Sequence, residues 1–237
     1  MNSAAPILAS RQCIPHQLDS AEGRAIYDRY LDSRNRYKQD FFDEVADLPS
    51  TTPLLEVASG YGGVGLNILT RTSLPMVAVC ESDAAAAAYR ARLDNAARAD
   101  STMAHRVRAL SLRVDPDGIP DQGAGRFDVI YCLNIMHRWR DTIVALEHLA
   151  TLLTIGGTLL ASDLRRDPDP FITEYVLREL AADTSRDGKA WLTTFIESLW
   201  SSHTVAQLSD ELATSQITDW DVYPDGPMAL TVRISRR

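Results

Sequence analysis

The sequence contains no Cys-x-x-Cys, no His-Glu-x-x-His and no run of lysines or arginines. Its three cysteines, Cys13, Cys80 and Cys132, stand far apart, and its five histidines are scattered. Such spacing predicts no metal site. Cys80 and Cys132 fall in predicted strands, where they read as small buried thiols of a reducing, cytoplasmic setting. No apolar run approaches a membrane span, and the first residues lack a signal-peptide pattern. Lysine plus arginine number 24 against 32 acidic residues, a net charge of −8. That balance disfavours nucleic acid and anionic membranes as partners.

What the chain has is size and a core. Its 237 residues, 45% of them hydrophobic, suffice for one large α/β domain without covalent staples. The organising stretch is Leu54–Gly65, LLEVASGYGGVG. Gly60, Gly62 and Gly65 have G-x-G-x-x-G spacing, which serves dinucleotides and other adenosine cofactors alike. Glu56 discriminates between them. It lies inside the predicted strand, where a buried carboxylate is costly unless paired.

Around this stretch, apolar periodicity predicts helices over 20–33 and 35–47, then a strand at 54–58 and a helix at 62–72. A second strand, 76–80, ends in Glu81 and precedes an alanine-rich helix, 83–98. Strands follow at 106–114, 127–133 and 158–162. A helix at 141–153 is expected to stop at Gly156-Gly157. Strands alternating with helices predict a parallel, doubly wound sheet, whose ligands sit at the carboxyl ends of the strands. Ser59, Glu81, Asp115, Asn134 and Asp163 fall at those ends. Residues 165–203 break the alternation with two helices, 169–182 and 188–201. This insertion reads as a substrate cap or, alternatively, as a homodimer interface. A helix at 204–214 and a terminal hairpin, 219–223 with 228–234, complete the chain.

Several segments in order resemble the class I S-adenosylmethionine-dependent methyltransferases, with the small-molecule branch the nearest. These are LLEVASGYGG, VAVCESD, FDVIYCLNIMHRWRD and LATLLTIGGTLLASDL. The resemblance implies a Rossmann-like sheet of seven strands with an antiparallel last strand, a helical arm over 1–49, and a methyltransferase domain over 50–237 capped by 165–203. It implies S-adenosyl-L-methionine as cofactor. Glu56 would order the glycine loop near the methionyl ammonium. Ala58 takes the place of the family's usual glycine, followed by Gly60 and Gly62. Glu81 would hold the ribose hydroxyls and Asp115 the adenine amino group. Cys132 and Leu133 would place backbone groups beside the methionine end.

For the chemistry, His137 is the candidate general base, three residues past Asn134. Histidine is the residue type best suited to proton abstraction near neutrality. The alternative is that His137 packs or caps the following helix. The segment Asn134-Ile135-Met136-His137 lacks the D/N-P-P-Y motif of enzymes that methylate planar amino groups. With the acidic charge, this points to a small, apolar or aromatic metabolite. Candidate acceptor contacts are Tyr27, Tyr30, Asn134, Arg165 and Trp191. Arg165 and Arg166 have a plainer alternative, pairing with Asp167 and Asp169. The competing function is a cofactor-binding protein that performs cyclisation, elimination or no catalysis.

Overall fold

The computed structural model describes residues 38–58, 60, 62–111, 125–182, 184 and 186–237. The helix expected over 20–33, with Tyr27 and Tyr30, lies outside the described residues, as do Ser59 and Asp115.

Helix α1, Gln39–Asp47, buries Phe41, Phe42 and Val45, an i, i+1, i+4 set on one side of the helix. Strand β1 is Leu54–Val57, α2 is Gly63–Leu69, and β2 is Met76–Cys80. Helix α3, Asp83–Ala97, starts at Ser82, whose side chain accepts from the Ala85 amide. Its inward residues are Ala85, Ala86, Tyr89 and Leu93. Short alanine side chains let this helix lie close to the sheet. Strand β3, Val107–Ser111, and strand β4, Phe127–Leu133, are followed by a short 3₁₀ turn, Met136–Arg138. Helix α4, Thr142–Thr151, is capped by Asp141. Strand β5 runs Leu153–Leu164. Helices α5, Pro170–Ala182, and α6, Arg186–Ser201, form the insertion. Helix α7, Val205–Ala213, opens with a reciprocal Thr204–Gln207 capping box. Strands β6, Trp220–Asp225, and β7, Ala229–Ser235, end the fold.

The seven strands form one sheet in the order β3-β2-β1-β4-β5-β7-β6. The pairs among β1 to β5 are parallel, and β7 runs antiparallel to both β5 and β6. This is the expected doubly wound sheet with a reversed last strand. The chain winds from β1 outward through β2 and β3, then returns to start β4 on the other side. The order therefore reverses between β1 and β4, the place where such sheets open a ligand crevice.

Both sheet faces are covered. One buries Leu55, Val57, Ile130, Cys132, Leu159 and Ala161 under α4 and α7. The other buries Leu54, Met76, Val129, Tyr131 and Leu160 under α1 and α2. Lys38, at the head of α1, is buried and donates to Ser162 Oγ at 2.7 Å and Asp225 Oδ2 at 2.6 Å. It thereby fastens α1 to the far half of the sheet.

Two expectations need correction. Gly156 and Gly157 do not stop the helix; they lie inside β5. The register jumps there, from Phe127 opposite Leu153 to Val129 opposite Thr158, so the pair forms a bulge. Gly156 has φ 82°, and a β-carbon on Gly157 would stand 3.0 Å from two carbonyl oxygens of β4. The helix ends earlier, at Thr151. Asp163 does not close β5 from outside. The strand continues to Leu164, so Asp163 is a buried in-strand acid.

Candidate active site

The site grows from the carboxyl end of β1. Glu56 is 2% exposed and points to the same face as Tyr131, its partner across the strand pair. Tyr89, from α3, donates its hydroxyl to Glu56 Oε2 at 3.0 Å. Burial raises the Glu56 carboxyl to about 8, against the opposing pull of Tyr89, the Gly65 amide and Tyr131. Oε1 is buried and makes no hydrogen bond of normal geometry among the described residues. Beyond Val57 the chain turns sharply: Ala58 has φ 55°, Gly60 51° and Gly62 86°. Ala58 thus holds a left-handed backbone that costs a residue with a β-carbon. A β-carbon on Gly62 would stand 2.8 Å from the Tyr89 ring. One on Gly65 would strike the Tyr89 hydroxyl and Glu56 Oε2. The last two glycines of the pattern are therefore needed by the protein's own packing, whatever the loop binds.

Glu81 follows β2 directly and is half-buried, at the strand end expected of it. Arg138 Nη1 donates to its Oε2 at 3.0 Å. Cys132 is fully buried in β4, and burial pushes its thiol well above the ordinary range. Leu133 ends that strand, half-buried. Asn134 then takes φ 57° and donates its amide to the Ser162 carbonyl at 2.8 Å. That left-handed residue turns the chain into the Met136–Arg138 turn.

The turn brings His137 onto Asp163. His137 Nδ1 lies 2.8 Å from Asp163 Oδ1 and 3.0 Å from Oδ2. The His137 amide donates to Oδ2 at 2.7 Å, and the Leu164 amide to Oδ1 at 2.7 Å. Both residues are buried, at 7% and 2% exposure. Burial works to raise the Asp163 carboxyl, but the His137 imidazole and the two amides outweigh it and hold the carboxyl below its usual range. An ionised Asp163 takes the proton-bearing Nδ1 as its donor. That fixes the imidazole tautomer and leaves Nε2 as the acceptor nitrogen. No hydrogen bond engages Nε2 among the described residues.

The remaining candidates are more dispersed. Trp191 is half-buried on α6. That helix packs against the turn carrying His137. Arg165 Nε donates to Asp167 Oδ1 at 3.0 Å, and Arg166 is bound to Gln207. The plainer alternative thus describes Arg165, while Arg166 finds a different partner. Sequence reading missed three contacts: Asp163 on His137, Tyr89 on Glu56 and Arg138 on Glu81. Their separations of 26, 33 and 57 residues leave no local signal. Only the strand-end position of Asp163 gave a hint.

These residues suit an adenosine cofactor with a cationic tail. Glu56 offers a buried oxygen that no described residue engages with normal hydrogen-bond geometry, and Glu81 offers a partly open carboxylate at the next strand's end. Among the described residues no cluster could hold a metal ion, and no helix is long and apolar enough to cross a membrane.

Comparison with known proteins agrees with this geometry. Residues 55–159 match the family described as a methyltransferase domain. No curated protein matches the sequence. The fold is similar to the plantazolicin methyltransferase BpumL, solved with a monoazolic desmethylPZN analog and SAH. The two share 13% identity over 94% of this chain and 93% of that one, with a TM-score of 0.63. It is similar to an O-methyltransferase family protein from Burkholderia thailandensis, at 17% identity over 97% and 66% of the two chains and a TM-score of 0.60. It is also similar to the mitomycin 7-O-methyltransferase MmcR, at 16% identity over 92% and 60% and a TM-score of 0.60. At these identities the likeness speaks for the fold, and the domain match speaks for the chemistry. Fold and domain match agree: residues 55–159 carry the match to a methyltransferase domain, within a seven-stranded sheet similar to that of these solved methyltransferases.

Proposed function

We propose that this enzyme methylates a hydroxyl group of a small, apolar or aromatic molecule, with His137 as general base. The observation that carries the reading is the His137–Asp163 pair. A buried imidazole held by a buried carboxylate has one ring nitrogen committed and the other left to take a proton. Hydroxyl acceptors need that help, because a neutral hydroxyl is a weak nucleophile. When bound, S-adenosylmethionine supplies a sulfonium-activated methyl group. Glu81 would hold the ribose hydroxyls, and Glu56 with Gly60 and Gly62 the methionine end. Cys132 and Leu133 would contribute backbone groups. His137 Nε2 takes the hydroxyl proton as the oxygen becomes the nucleophile, and Asp163 steadies the resulting imidazolium.

The acceptor side is assigned to the turn and the helices above it. Helix α5 has no buried residue of its own, and α6 rests on the Met136–Arg138 turn. That placement supports residues 165–203 as a cap, with Asn134 and Trp191 near the acceptor. Two proteins of similar fold, the Burkholderia thailandensis protein and MmcR, belong to the O-methyltransferases, which favours oxygen over nitrogen or carbon.

The test is single-turnover transfer from labelled cofactor to a panel of phenols, matched anilines and activated carbon acids. Label on phenols in the native enzyme, lost in His137→Gln with S-adenosylhomocysteine affinity retained, is the expected result. Transfer only to anilines or carbon acids, or His137→Gln activity equal to native, overturns the reading.

A further inference from the structure

Glu81 and Arg138 join the two strands that flank β1. Glu81 follows β2, and Arg138 ends the turn after β4; both strands pair with β1. Their contact spans about two strand spacings, roughly 10 Å, across the end of the sheet from which the glycine loop leaves. It is one hydrogen bond, from Nη1 to Oε2 at 3.0 Å, with side-chain exposures of 23% for Arg138 and 32% for Glu81. Glu81 Oε1 and a second lone pair on Oε2 remain for other donors. Arg138 is no ordinary surface cation. Its Nε is buried and has no hydrogen-bond partner among the described residues. A guanidinium kept partly out of water at that expense needs a reason, and its side-chain partner among the described residues is Glu81, the acid at the mouth of the cofactor crevice.

We infer that Arg138 is a positioning residue for the cofactor: it fixes the Glu81 carboxylate so that the remaining lone pairs meet the ribose hydroxyls. This rests on the proposed ribose role of Glu81. A free glutamate at a strand end samples several rotamers, and ordering it on binding costs affinity. Arg138 removes that cost beforehand. Because it adjoins His137 in the same three-residue turn, it also ties the cofactor acid to the segment bearing the base. Lysine cannot substitute fully, since its ammonium is a point charge on a flexible stem, without the planar fork.

The experiment is calorimetry of S-adenosylhomocysteine and its 2′,3′-dideoxyribose analogue on the native enzyme, Glu81→Ala, Arg138→Gln, Arg138→Lys and Glu81→Ala/Arg138→Gln. Glu81→Ala should weaken S-adenosylhomocysteine by about 10- to 100-fold, as expected for lost hydrogen bonds to a charged group. Arg138→Gln should weaken it by roughly 3- to 10-fold, the loss of one charged contact acting at second hand. Arg138→Lys should fall between Arg138→Gln and native. In the Glu81→Ala background Arg138→Gln should have no further effect, and the dideoxy analogue should bind native and Arg138→Gln alike. Loss of both ligands in parallel, additive effects in the double variant, tighter binding by Arg138→Gln, or no change with it while Glu81→Ala is weakened, each overturns the inference. No effect of Glu81→Ala overturns instead the ribose reading beneath it. Should Arg138→Gln fail to fold, the Arg138→Lys comparison between the two ligands decides alone: selective weakening of the ribose form supports the inference, and equal binding overturns it.

Discussion

The hydroxyl of Tyr89 occupies the space that a β-carbon on Gly65 would need, and from there it donates to Glu56. A glycine in the first turn of α2, a tyrosine of α3 and an acid of β1 are thus one packing unit. Gly65→Ala should destabilise the fold by about 1–3 kcal/mol, the usual range for overpacking a close-packed site. Tyr89→Phe should recover part of that loss in the double variant, because it removes the obstructing oxygen. Thermal denaturation of the two single variants and the double one checks this. Strictly additive losses would show that the two residues do not share the space.

The buried Glu56 carboxyl makes stability fall as pH rises. Its ordinary value of 4.5 governs the unfolded chain, while burial raises the folded value to about 8. Between these values the folded protein keeps a proton that the unfolded chain releases. The stability is full below 4.5 and is lost as pH approaches 8, by an amount on the order of a few kcal/mol. Glu56→Gln should flatten this slope, so its melting temperature relative to native rises from pH 5 to pH 8. Parallel pH profiles for the two proteins would refute the assignment.

Asp163 should matter to turnover more than to cofactor binding. Asp163→Asn leaves shape almost unchanged but offers the imidazole a neutral amide, which no longer favours protonated Nδ1 or the imidazolium. Turnover should drop by at least about 10-fold, within the span of general-base contributions. S-adenosylhomocysteine affinity should stay near native, because Asp163 lies on β5, beyond the β1–β2 edge of the crevice. Native turnover in Asp163→Asn with only S-adenosylhomocysteine binding weakened would contradict the role.

Ala58 carries a removable strain. Its φ of 55° is a conformation glycine adopts freely. Ala58→Gly should stabilise the protein by about 0.5–1 kcal/mol, the relief of the left-handed backbone less the extra entropy of an unfolded glycine. The melting temperature should rise by a degree or more, with no loss of S-adenosylhomocysteine binding. A lower melting temperature would mean that the alanine methyl contributes packing worth more than the strain.

The elements themselves were legible because they depend on local chemistry. Short apolar runs marked the strands at 76–80 and 127–133 to the residue, and Ser82, Asp141 and Thr204 stand where helix starts need side-chain acceptors. The double glycine misled for a local reason as well. Glycine suits both a helix stop and a strand bulge, and only the jump in register with β4 distinguishes them. The order of an acid, a glycine turn and a second strand-end acid was equally readable, and the structure sets Glu56 and Glu81 at the carboxyl ends of neighbouring strands.

The sequence by itself determined the order of strands and helices along the chain and the reversed last strand. These follow from periodicity and from short-range turn chemistry. Only the tertiary structure decided which groups face one another: Tyr89 with Glu56, Arg138 with Glu81, and His137 with Asp163. The physical reason is that a side chain's charge state and tautomer depend on what lies within hydrogen-bond reach, and parallel strands set that reach between residues far apart in the chain. His137 was a lone histidine in the sequence; the register of β4 against β5 made it half of a pair.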